Sequence, residues 1–407
     1  MGVQSEARGS GVPSLEVSRY GRHCLLRSLA LQIIVVSGSA LASLIPMCLV
    51  PALPAMAAAL GGGANNAFYA QMVMTAPAIS CAIAAPLAAF VAPHIGLRSG
   101  LIASLLLYLV SGIFPLVADN LVLVVVSRVL LGLAGGSIGT LTTIIVGEFV
   151  PEVRNRLLGL THAMGGGAAI TALALGGILV DTAGWRGPFV IYLAALPILC
   201  LSIYAVRDNP PLGRARASQG RMPVSALWVL YLILFIMSVG FFTPGVEGPF
   251  LLTARGILSA RSHGLFLSAM PLVSVFVSAG YGWFARVLSE RALVFATFAT
   301  LGVGLVLTGG FVSAPVILSG FAITGVGAGL AVPIVMSILI GRTSNEVRLY
   351  AIGIYFTVMF LGQFLTPALI EPISVRSGSD GVFLWTGVVM SAAAFLAVPA
   401  VRSPAEV

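Results

Sequence analysis

The stretch SRVLLGLAGGSIG, residues 127–139, places Arg128 near the head of a run that is otherwise apolar and glycine-rich. The composition around it decides what kind of helix this is. Hydrophobic residues make up 58% of the 407-residue chain, charged residues 8%, and the mean hydropathy is +1.07. A soluble domain carries roughly a quarter of its residues charged, so this chain cannot cover a water-facing surface.

Apolar stretches of about twenty residues, enough to cross a hydrocarbon core of roughly 30 Å as a helix, recur along the whole chain. Read against proline, glycine and charge breaks, they fall at residues 28–56, 67–92, 99–118, 121–146, 156–180 and 186–206, and then at 224–246, 263–285, 291–311, 314–341, 349–370 and 380–401. The expected fold class is an all-α membrane protein of twelve transmembrane helices in two pseudo-symmetric six-helix bundles. The expected division is a tail at 1–27, a first bundle at 28–206, a polar Pro/Gly/Arg-rich linker at 207–223, a second bundle at 224–402 and a tail at 403–407.

The net charge of +8 comes from arginines alone, since the chain has no lysine. They lie singly in the gaps between apolar runs and form no basic face, which argues against a nucleic-acid partner and for topology signals. With the first tail on the cytoplasmic side, sixteen of the 21 arginines fall in cytoplasmic segments. Only Arg186, Arg255, Arg261 and Arg376 fall opposite, and Arg128 lies in the membrane. An odd number of crossings would scramble that bias, so both termini are expected in the cytoplasm and the chain in the plasma (inner) membrane. Cys24, Cys48, Cys81 and Cys200 have no CxxC spacing and read as small hydrophobes. The first 27 residues lack a cleavable signal pattern.

The two halves repeat each other. PEVRNRLLG at 151–159 and NEVRLYAIG at 345–353 share Glu-Val-Arg and the following glycine at one constant offset. A six-helix unit duplicated in parallel builds two bundles around a midplane cavity.

Several motifs give the chain a resemblance to the major facilitator superfamily. AFVAPHIGLR at 89–98 is similar to the family's loop between helices 2 and 3, keeping Gly96 and Arg98 but with Pro93 at the family's aspartate. The second copy, GWFARVLSER at 282–291, has Arg286 at the acidic position. Arg128, Gly132 and Gly136 resemble the family's fourth-helix motif, GWRGPF at 184–189 its entry to helix 6, and ALPAM at 52–56 the twelve-span drug:proton antiporters. The fifth-helix motif of those exporters is represented by Gly159, Ala168, Ala172, Leu173, Gly176 and Gly177, with its proline missing. The resemblance implies a secondary active exporter of drugs or metabolites, driven by a proton gradient with no cofactor, embedded as a monomer in the bilayer.

Candidate residues follow from the cost of polar groups at membrane depth. An unpaired arginine there costs about 3 kcal/mol or more, so Arg128 faces the interior. It either binds an anionic substrate or modulates a proton-carrying carboxylate, or it is tethered to backbone carbonyls at a neighbouring helix end. A proton-driven carrier also needs a group that titrates in the cavity. None of the 13 acids lies mid-span. Glu247, in FFTPGVEGPF at the outer end of the seventh span, is the deepest, and its flanking glycines and prolines predict a break in that helix. The alternative for Glu247 is an exposed loop acid.

His162 is a proton-carrier candidate or a packing residue, and Gln363 a cavity-facing or helix-joining amide. Glu148 is either a gate acid, paired with an arginine such as Arg348, or a solvated loop charge; Gly96, Arg98 and Arg154 complete the cytoplasmic gate candidates. Gly132, Gly136, Gly159, Gly176 and Gly177 read as close-packing positions. The sequence shows no P-loop, no metal-ligand spacing and no Ser-His-Asp signature, so it gives no support for ATP-driven transport, a metal site or catalysis. The runner-up function is an importer or exchanger of a small organic anion held by Arg128.

Overall fold

A computed structural model describes residues 14–59, 65–118, 120–147, 149–207, 227–343 and 345–400. Glu148 and nearly all of the expected linker lie outside the described residues, as do the side chains of His162 and Arg348. The first half is built from α1 (Ser14–Met47), α2 (Leu53–Ala59), α3 (Asn66–Ile95), α4 (Leu97–Ile113), α5 (Leu121–Gly147), α6 (Pro151–Ala183) and α7 (Ala195–Ala205). The second half contains α8 (Trp228–Ala254), α9 (Ala260–Ala279), α10 (Tyr281–Val287), α11 (Glu290–Gly310), α12 (Ala314–Gly341) and α13 (Asn345–Ala400).

Eleven apolar helical runs among the described residues are long enough to cross a membrane. The last, Ala351–Ala397, is 47 residues long and holds two crossings. Gly378 separates them, with φ 66° and ψ −175°, a conformation that a side chain at Cβ would disfavour. Twelve crossings therefore return the chain to the end from which it started. That end is called terminal below, and the opposite one distal.

The structure adds detail to two of the expected segments and corrects a third. The N-terminal tail expected at 1–27 is helical from Ser14, because α1 meets no proline before Pro46 and each residue added to an existing helix gains a hydrogen bond. The sixth crossing opens as a 3₁₀ segment, Gly187–Ala194, before α7. The seventh crossing is not broken near Glu247: α8 runs through Pro244 and Pro249 as one helix. Each proline removes one backbone hydrogen bond, which is tolerated where packed neighbours replace lipid, and Val246, Leu251 and Leu252 are fully buried there.

Glycines set the closest helix approaches. A Cβ on Gly132 would collide with the Pro77 carbonyl oxygen, and one on Gly136 would stand 2.7 Å from that of Cys81, so α5 lies directly on α3. Gly176 meets the Cys48 carbonyl at the end of the first crossing, 2.6 Å from its would-be Cβ. Gly159 departs from the expectation, since nothing among the described residues lies within 4 Å of its would-be Cβ. The bundles touch mainly where α6 meets α9 and where α3 meets α13. Across the first of these seams Gly177 faces the Ala260 backbone and Gly264 faces that of Leu173, each so closely that a methyl group would collide.

Candidate functional site

The polar chemistry of the bundle interface lies at the distal end. Glu247, seven residues before the end of α8, is 2% exposed. Its Oε2 accepts from Gln71 Nε2 of α3 at 2.7 Å. Its Oε1 accepts from Ser379 Oγ at 2.7 Å and from Ser374 Oγ at 3.3 Å, on either side of the Gly378 bend. Gln71 Nε2 also lies 3.4 Å from the Val246 carbonyl. Among the described residues the carboxyl accepts hydrogen bonds from neutral groups only and joins both bundles, which makes it a buried interface residue and not a loop acid.

A second carboxylate crosses the seam on the other side. Asp181, near the end of α6, accepts from Ser259 Oγ at 2.7 Å, from Ala260 N at 2.9 Å and from Arg261 N at 3.1 Å. Those backbone donors belong to the first turn of α9, whose N–H groups have no partner within their own helix. Asp181 therefore caps a helix of the opposite bundle, with its negative charge at the positive end of the helix dipole.

Arg128 is wholly buried inside the first bundle. Its Nη2 donates to the Ser111 and Gly112 carbonyls, both at 3.3 Å, and its Nη1 donates to Tyr192 Oη at 3.0 Å. Its guanidinium carbon stands 4.8 Å from the Phe189 ring centroid and 5.1 Å from that of Tyr192. Ser111 and Gly112 are in the last turn of α4, where carbonyls lack helical partners and a cation is favoured. Tyr192 in turn donates to the Ile45 carbonyl at 2.9 Å, so one arginine gathers the distal ends of the first, third, fourth and sixth crossings. This is the helix-end tether of the two readings given above.

The second bundle has a counterpart that the sequence reading did not single out. Arg255 donates to the Gly309 carbonyl at 2.9 Å and to that of Phe311 beyond the end of α11, and pairs with Asp380 at 2.7 Å.

The remaining candidates separate. Gln363 is buried on α13, away from the Glu247 cluster in sequence. Gly96 joins α3 to α4 at φ 84°. Arg98 Nη2 donates to the Ile203 carbonyl of α7 at 3.1 Å, a contact inside the first bundle. Arg154 is half-buried in the first turn of α6. The interface residues missed from sequence include Gln71 and Asp181. Each sits near the end of a crossing, where polar residues are ordinary, and their partners are more than 75 residues away.

The profile of the Major Facilitator Superfamily matches residues 35–367. Over 356 residues the chain is 25% identical to the multi-drug resistance efflux pump PmrA of Streptococcus pneumoniae, covering 83% of this chain and 87% of the pump. It is 26% identical to MFS transporter L2 of a Phoma species over 68% of this chain, and that match spans about half of the Phoma protein, 47%. Among solved structures, the inward open conformation of the xylose transporter XylE from E. coli superimposes with a TM-score of 0.73 at 14% identity, covering 92% of this chain and 96% of XylE. The human organic anion transporter MFSD10 gives 0.67 at 17% identity, over 91% of this chain and 99% of that one.

Proposed function

We propose, from the premise that this chain belongs to the Major Facilitator Superfamily, that it exports small lipophilic drugs or metabolites by proton antiport, with Glu247 as the proton-carrying group. A multi-pass membrane transporter of this family moves its substrate without chemical conversion, so the protein is not an enzyme. The multidrug names of relatives such as PmrA support export. In this reading the chain works as a monomer in the plasma (inner) membrane with both termini cytoplasmic, its two six-helix bundles rock about the midplane, and the proton gradient supplies the energy.

The observation that supports proton coupling is the setting of Glu247, a buried carboxyl shared between the bundles and held by Gln71, Ser374 and Ser379. Burying a carboxylate without a cation is costly, so the hydrogen-bond partners of Glu247 decide which of its protonation forms the closed distal end tolerates. Protons arriving from the distal side would reach Glu247 when the seam is open and be carried inward when it closes. Arg128 is assigned to architecture in this reading, because both of its Nη groups are engaged inside the first bundle, by Ser111, Gly112 and Tyr192.

The test is transport of tetraphenylphosphonium into proteoliposomes under an imposed pH gradient. The wild type is expected to accumulate the cation, whereas Glu247→Gln loses accumulation but keeps downhill exchange. Undiminished gradient-driven accumulation by Glu247→Gln would overturn the assignment.

A further inference from the structure

Gln71 is 2% exposed, and while its Nε2 is engaged by Glu247 and Val246, its Oε1 is buried with no hydrogen-bond partner among the described residues. A buried acceptor left unpaired is uncommon and costly. The neighbouring carboxyl explains it. A charged carboxylate only accepts, and Gln71, Ser374 and Ser379 supply its donors. A protonated carboxyl has become a donor on one oxygen and needs an acceptor. Rotating the Gln71 amide about its last bond exchanges Nε2 for Oε1 in nearly the same place, which presents the idle acceptor to the acid proton.

We propose that Gln71 is a positioning residue of the proton site, donating to charged Glu247 through Nε2 and accepting from protonated Glu247 through Oε1, so that the distal end closes over either form. The inference rests on the reading of Glu247 as the proton carrier. The proton adds to one carboxyl oxygen and later leaves it, and no other bond changes. An antiporter needs this tolerance, because it closes distally with the proton bound and must remain closed after the proton has left while substrate loads. An arginine at 71 would serve only the charged form, and an apolar residue only the neutral one.

The other ionisable groups at this end do not replace it: Arg376 on α13 and Tyr69 on α3 are exposed. Glu371 on α13 is a like-charged neighbour of Glu247. Arg255 and Asp380 pair with each other. His263 on α9 has its Nε2 on the Ile257 carbonyl. Asp181 caps α9 beside Arg261. The segments of α2 and α12 contain no ionisable side chain.

The test uses Val117→Cys and Val312→Cys, both exposed distal positions in opposite bundles, with Cys24 and Cys200 replaced by serine. Nitroxide distances are read by pulsed electron paramagnetic resonance in lipid nanodiscs from about pH 5 to about pH 9. The wild type should show one short distance throughout. Gln71→Met should keep it at acid pH and shift to a longer one as pH rises, with the closed-to-open ratio falling on the order of tenfold or more. Gln71→Glu, which retains polarity should Gln71→Met fail to fold, should open in the same direction.

A flat response in both variants, or a pH-dependent wild type, would overturn the inference and leave the role of Glu247 standing. The double variant Glu247→Gln/Gln71→Met should stay closed throughout. If its response still follows pH, the titrating group is not Glu247 and the coupling assignment falls as well.

Discussion

Two carboxylates cross the distal seam, and their partners differ in kind. Asp181 lies exposed at the rim and is held by the backbone N–H groups of Ala260 and Arg261 together with Ser259. Backbone N–H groups only donate, so this cap serves the charged form and acts as a fixed latch. Glu247 is buried and is held by an amide and two hydroxyls, each able to donate or to accept. The same functional group thus becomes a latch or a switch according to whether its partners can reverse their role.

The largest effect expected from this contrast is on energised transport. Glu247→Gln should abolish gradient-driven accumulation of tetraphenylphosphonium, while Asp181→Asn should only slow it. Equal losses in the two variants would erase the distinction. Next comes closure itself. In Gly177→Val the added side chain would meet the Ala260 backbone, which cannot move aside as a flexible side chain can. The distal label pair should then report the long distance at every pH. A short distance in this variant would show that the seam of α6 and α9 does not have to close.

Arg128→Met probes the interior of the first bundle. It removes the arginine from the Ser111 and Gly112 carbonyls at the end of α4 and one donor from the Tyr192 hydroxyl, which keeps its bond to the Ile45 carbonyl, at a cost of about 2–3 kcal/mol. The variant should unfold several degrees lower in a thermal scan and transport normally per folded molecule. Loss of transport with unchanged thermal stability would restore a substrate role for Arg128. The smallest effect is that of Asp181→Ala, where loss of a helix cap costs about 1 kcal/mol. It should move the closed-to-open ratio about fivefold toward open, and no shift in the label distances would show that the cap is incidental.

The fold was legible because membrane crossings obey a simple rule of length and hydropathy. Arg27 and Arg98 meet the last turn of α7, and Arg186 and Arg255 lie at the other end. Glu247 stood out because acids are scarce in the apolar spans. Its partners did not, since Gln71 and Asp181 acquire meaning only when α3 meets α8 and α6 meets α9 across long sequence separations. Arg128 shows the middle case: burial followed from cost alone, but the choice between tether and substrate anchor depended on Tyr192 and the end of α4 arriving beside it. The expected break in α8 failed because proline propensity was overridden by packing on all sides.

The most direct measurement is a count of protons released when substrate binds. Purified protein in weakly buffered detergent is mixed with tetraphenylphosphonium, and the pH change is followed with an indicator dye. The account predicts release of about one proton per bound cation from the wild type at a pH where Glu247 is protonated, and none from Glu247→Gln. Equal release from both proteins would contradict it, because the proton would then come from another group.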